Sequence, residues 1–146
     1  MTHRWKGAAL GIAGAILVPA AGTRAELMGA RPAHRIQTVN VQMIGDEKGN
    51  RFVPASITIH VGDVVTWTNV SGAHNVVFWP DSIPAGTQTI LQGKMGATMG
   101  RLMGPMFAAP NATYTISFAG LKAGTYKYYC LPHLALGMRA QVVVQP

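Results

Sequence analysis

Cysteine occurs once in the 146 residues, at Cys130, which rules out an internal disulfide and the two-cysteine attachment of a covalent haem. Acidic residues are also scarce: five Asp and Glu stand against twelve Lys and Arg, for a formal charge of +7. That sign invites nucleic acid as a partner. The basic residues beyond the N-terminus (Arg31, Arg35, Lys48, Arg51, Lys94, Arg101, Lys122, Lys127 and Arg139) are scattered rather than gathered into a patch, so nucleic acid is set aside. Long apolar runs are missing too. The uncharged run over residues 7–22 is rich in Ala and Gly, is broken by Pro19, and falls short of the roughly 20 strongly apolar residues that a membrane span requires. Preceded by His3, Arg4 and Lys6, it has the layout of a secretory signal peptide over residues 1–25, cut before Glu26. Cleavage removes Arg4, Lys6 and Arg24 and leaves a charge of +4 with no membrane span. Internal repeats and low-complexity tails are absent.

Residues 26–36 carry Gly29, Pro32 and several charges without periodicity and read as a flexible arm. Residues 37–146 form one domain, a size that can bury its own core. Within it, alternating or β-branched segments recur at 38–43, 56–61, 63–69, 74–79, 113–118, 124–130 and 139–144. About seven or eight strands at this density imply an all-β sandwich or barrel. Gly45-Asp46 with Lys48-Gly49-Asn50, then Val61-Gly62-Asp63, then Leu121-Lys122-Ala123-Gly124 supply turns, each short enough to join antiparallel neighbours. In 56–61 the apolar Ile57, Ile59 and Val61 share one face, which puts His60 on the solvent side. The connection over 80–111 is long and rich in Gly, Pro and Met, the kind of segment that carries function or folds on itself.

A chemical pattern closes the chain: Cys130, His133 and Met138 stand in a Cys-x2-His-x4-Met arrangement between two expected strands. Thiolate, imidazole and thioether on one loop suit copper in both oxidation states, because sulfur favours Cu(I) while imidazole accommodates Cu(II). His74, at the start of an upstream strand, supplies the fourth donor and completes a two-histidine, one-cysteine set with a weak axial methionine. Zinc rarely takes a thioether. His34, in the arm, and His3, in the signal, are not candidates.

The stretches Val61-Gly62-Asp63-Val64-Val65-Thr66-Trp67, Gly72-Ala73-His74-Asn75-Val76-Val77-Phe78, Ile83-Pro84-Ala85-Gly86 and 124–133 fall in the order found in the cupredoxin family, and the chain resembles its plastocyanin and pseudoazurin group over residues 37–145. The resemblance implies a Greek-key β-sandwich with one type 1 copper ion at one end, held by His74, Cys130, His133 and Met138. It also implies that Asn75 ties the two ligand-bearing loops together. The family commonly has Ser or Thr after the cysteine, and Leu131 stands there instead, so that side-chain link is absent or replaced. With so few acids, the chain also lacks the acidic docking patches of plant plastocyanins. No second arginine adjoins Arg4, so a twin-arginine export route finds no support and copper enters after export.

These readings converge on a periplasmic or otherwise exported monomeric single-electron carrier, with no enzymatic activity, that docks transiently with redox proteins. Pro132, Leu134 and Leu136 around His133 form the expected docking patch. The alternative is a copper-binding or delivery protein using Met95, Met99, Met103 and Met106, whose spacing of four, four and three aligns the sulfurs on one helical face as a second Cu(I) site. Against that row stand Gly96, Gly100, Gly104 and Pro105, which oppose a long helix, and the simpler reading of the methionines as an adaptable apolar cover. A copper oxidase or reductase is disfavoured because the chain lacks the extra histidines of a further copper centre, and another rival is an Ig-like adhesion domain with an incidental cysteine. It predicts no tight copper binding.

Overall fold

The computed structural model describes residues 34–146; the expected signal segment and residues 26–33 of the arm lie outside the described residues. Eight strands form two four-stranded sheets. One contains β1 (Thr38–Asp46), β2 (Gly49–Val53), β4 (Val64–Asn69) and β6 (Thr113–Ser117), in the order β2-β1-β4-β6. The other contains β3 (Ser56–His60), β5 (Val77–Phe78), β7 (Gly124–Tyr129) and β8 (Arg139–Gln145), in the order β3-β8-β7-β5. Among the described residues no helix is long and apolar enough to cross a membrane.

Period-two patterning decides which face of each strand turns inward. Val41 and Met43 of β1, Val65 and Trp67 of β4, Tyr114 and Ile116 of β6 are buried between the sheets. They meet Ile57 and Ile59 of β3, Tyr126 and Tyr128 of β7, and Val142 and Val144 of β8. Trp67 lies at the centre, edge-on to Tyr128 at 5.5 Å and to Phe78 at 6.3 Å between ring centroids, the T-shaped arrangement that the ring quadrupoles favour. The same alternation carries Cys130 inward, one residue past the end of β7.

One expectation about strand pairing needs correction. The short turns do not all join antiparallel neighbours: β3 and β4 flank the turn at Val61-Gly62-Asp63 yet belong to opposite sheets, while β1 pairs with β4 and β3 with β8 in parallel. A short loop at the end of a sandwich spans the ~10 Å between stacked sheets as readily as it closes a hairpin. The turn expected at 45–50 does join antiparallel neighbours, as a tight hairpin at Glu47-Lys48, and its second arm is β2, a strand masked in the sequence by Gly49, Asn50 and Arg51. Only Phe52 of β2 is buried, so period-two apolarity had little to register.

The segment expected as a strand over 74–79 pairs with β7 only at Val77 and Phe78. The reason is the long connection, which competes for the same backbone: Phe107 exchanges both backbone hydrogen bonds with His74 at 3.0 and 2.8 Å, and the Gly104 N–H donates to Val76 O at 2.8 Å. That connection does fold on itself, through α1 (Gln88–Lys94) and the buried Leu91, Met95 and Leu102. The helical row of four methionines is not formed. The helix ends at Lys94, Met95 caps it within the core, and Met99 pairs with Met103 across a turn, with the Met99 N–H donating to Met103 O at 2.9 Å. Glycine at 96, 100 and 104 makes continued helix costly.

Candidate metal centre

Cys130, His133 and Met138 sit on one loop between β7 and β8, and the loop is tied to itself. The Cys130 N–H donates to Met138 O at 3.1 Å, the His133 N–H to Cys130 O at 3.2 Å, and the Met138 N–H back to His133 O at 3.1 Å. A single 3₁₀ turn, Leu134–Leu136, fills the span, and Gly137 ends it in the left-handed region at φ +84°. Both Cys130 and Met138 are buried, whereas His133 is half-buried at the tip. His74 arrives from the other sheet, four residues beyond the loop's start at Val70, and its backbone is clamped by Phe107.

The structure brings three donor atoms into a small triangle. Cys130 Sγ lies 3.6 Å from His74 Nδ1 and 3.4 Å from His133 Nδ1, and the two Nδ1 atoms are 3.2 Å apart. An ion at the centre of such a triangle is roughly 2 Å from each donor, close to ordinary metal–imidazole bonds and slightly short of metal–thiolate ones. Tautomers agree with that use. The His74 Nε2–H donates to Ser71 O at 2.9 Å, which leaves the Nδ1 lone pair facing the triangle.

Burial lowers the basicity of His74, opposed by the Ser71 carbonyl and reinforced by the neighbouring His133. Burial pushes the Cys130 thiol up, partly offset by the N–H groups of Asn75 and His133 that point at the sulfur. In the metal-free protein the thiol therefore keeps its proton, and a metal must displace it to bind.

Several positioning residues escaped the sequence reading. Ser71 orients the His74 ring through a backbone carbonyl, for which no side-chain pattern exists. Gly72 has φ +85°, and a Cβ there would sit 2.9 Å from His74 Nε2, so glycine is required on both counts. Leu131 is exposed beside the expected patch residues: Pro132 and Leu136 are exposed and Leu134 is half-buried.

Asn75 does tie the loops, since its Oδ1 accepts from the Leu131 N–H at 2.8 Å. Its Nδ2 is buried and finds no partner among the described residues. The hydroxyl missing at position 131 accounts for that orphan. Leu131→Thr is accordingly expected to raise the stability of the metal-free protein by about 1 kcal/mol by giving the amide an acceptor, as read from urea unfolding. An unchanged midpoint would mean that solvent already satisfies Nδ2.

The family model described as copper binding proteins, plastocyanin/azurin family, matches residues 39–145. A chloroplastic plastocyanin of Tetradesmus obliquus is 38% identical over 107 residues, which cover 73% of this chain and 66% of that protein. A plastocyanin of Rumex obtusifolius is 33% identical over 108 residues, covering 73% of this chain and all of the relative. Among solved structures, oxidised plastocyanin from the fern Dryopteris crassirhizoma superposes with a TM-score of 0.56 at 30% identity, over 73% of this chain and 100% of that one. A pseudoazurin from Sinorhizobium meliloti gives a TM-score of 0.52 at 25% identity, over 76% of each chain.

Proposed function

The chain belongs to the plastocyanin/azurin family of copper-binding proteins, and from that premise we propose that it is an exported, monomeric single-electron carrier with one type 1 copper. His74 and His133 would hold the ion through nitrogen, Cys130 through its thiolate, and Met138 as the weak axial donor. The observation that carries this reading is the preassembled triangle of two imidazoles and one cysteine sulfur on a rigid sandwich. The ion supplies the one-electron couple. The chain's part is to hold the donors still and keep water out: Cys130 and His74 are fully buried, and the ladder of backbone hydrogen bonds over 130–138 restrains the three expected ligands of that loop. With four protein donors no position is left for a substrate, which supports a carrier rather than a catalyst.

Electrons would leave through His133, the most exposed of the expected ligands, within an apolar rim of Leu131, Pro132, Leu134 and Leu136. A redox partner docking there buries only a small surface, as befits a short encounter. Export is supported by the basic start and apolar run of residues 1–25, with 26–36 as the arm that follows cleavage. The delivery alternative is weaker because Met95 is spent in the core and the methionine row is not assembled.

The test is repeated reduction by ascorbate and oxidation by ferricyanide, each consuming one electron equivalent per chain, in the presence of an apo copper acceptor. A carrier retains its copper through the cycles. Transfer of the copper to the acceptor would overturn this reading in favour of delivery.

A further inference from the structure

We propose a second metal site, for a divalent ion of the Zn(II) class, formed by His34, His60 and Asp63 at the pole of the sandwich opposite the copper centre. One ligand atom from each of the three residues lies within 4.8 Å of the others. They come from three separate segments: His34 precedes β1, His60 ends β3, and Asp63 stands in the turn before β4. The distance from the copper centre follows from β4 itself, which begins beside Asp63 and spans roughly 20 Å at about 3.3 Å per residue before the loop that carries His74.

Asp63 is built as a ligand. The residue is 2% exposed, and its carboxylate is aimed by two backbone donors, the Gln37 N–H on Oδ1 and the His60 N–H on Oδ2, both at 2.8 Å. Burial alone would raise its pKa, yet those two donors and His34 hold it below the ordinary carboxylate value, so the group is charged at neutral pH. Among the described residues no Lys or Arg forms an ion pair with it; the side chain that meets it is the His34 imidazole, with Nε2 2.6 Å from Oδ1.

The histidines complete the donor set. The His34 and His60 rings lie 4.3 Å apart between centroids at an interplanar angle of 33°, a contact in which two protonated imidazoles would repel each other. Neutral imidazoles, by contrast, can each offer a nitrogen lone pair to the ion. Two nitrogens and one carboxylate oxygen form a three-ligand set familiar for Zn(II), with water in the fourth position. The ion takes the place of the hydrogen between His34 Nε2 and Asp63 Oδ1, and the neutral ring keeps its one hydrogen by carrying it on Nδ1 instead. Tetrahedral bonds of about 2 Å require Nε2 and Oδ1 to separate by roughly 0.7 Å more, a movement open to His34 because it is exposed at the domain's edge. Once bound, the ion would clasp the residues preceding β1 to the β3–β4 turn.

The test uses untagged protein with copper already in the first site and Zn(II) alone as the probe, titrated calorimetrically while the visible spectrum reports on the copper. The expected result is one further equivalent of Zn(II) and a rise in Tm, with affinity at least tenfold weaker in His34→Gln and in His60→Ala and the copper spectrum unchanged in both. Glutamine at 34 can still hydrogen-bond Asp63, which separates loss of a ligand from loss of the latch. Absence of Zn(II) binding beyond the copper site, or binding that survives both substitutions, would overturn the proposal and leave the cluster as a hydrogen-bonded clasp.

Discussion

Cys130→Ser is expected to abolish the intense visible absorption and narrow copper hyperfine splitting of the Cu(II)-loaded protein while leaving the fold in place. The sulfur is the one soft anionic donor in the triangle, and its covalency with copper is what gives such sites their colour. A serine hydroxyl in place of the sulfur, which lies 3.4 and 3.6 Å from the two imidazole nitrogens, stays protonated at neutral pH and offers only a weak, hard oxygen. The two side chains are close in size, and the hydroxyl can hydrogen-bond the imidazoles, so the metal-free variant should lose no more than about 2 kcal/mol of stability. Absorption and EPR spectra of both proteins decide the matter. A colourless wild type, or an ordinary Cu(II) spectrum that the substitution leaves unchanged, would remove the type 1 assignment and with it the carrier reading.

Leu136→Glu should slow electron self-exchange between oxidised and reduced copies by about tenfold or more, with the absorption spectrum and Tm nearly unchanged. Leu136 is 70% exposed, so the substitution costs the fold little. In an encounter between two His133 faces, however, the carboxylate must be desolvated against Leu131 and Pro132 of the other copy, and the two new charges oppose each other. A tenfold loss corresponds to 1.4 kcal/mol, a modest demand on those two effects. Thr58→Glu, on the outer face of β3, adds the same charge away from His133 and serves as the control. Equal slowing by both variants would point to net charge alone, and no slowing by Leu136→Glu would place the docking face elsewhere.

The candidate ligands of the last loop were legible because their chemistry is local. Cys130, His133 and Met138 lie within nine residues, and no other cysteine competes for the role. The strands with strong alternation, such as 56–60 and 113–117, were equally plain, because each half-buried strand writes its inward face into the chain. β2 was not, since a single buried Phe52 carries no period. The methionines at 95, 99, 103 and 106 carried two readings: they have a helical period, but the intervening glycines, visible in the sequence, and the pairing of Met99 with Met103 override it. The orphaned Asn75 amide could be anticipated from Leu131, because the absent hydroxyl is a sequence fact.

By itself, then, the sequence determined which atoms could bind copper, which faces of the strands turn inward, and that an internal disulfide was unavailable. These are properties of residue type and spacing along one segment. Only the tertiary structure decided which strands are neighbours, how Ser71 and Gly72 turn the His74 lone pair toward Cys130, and that His34, His60 and Asp63 meet at the far pole. Those contacts join residues distant in sequence through backbone carbonyls, steric clearance and packing between sheets, none of which leaves a periodic mark on the chain.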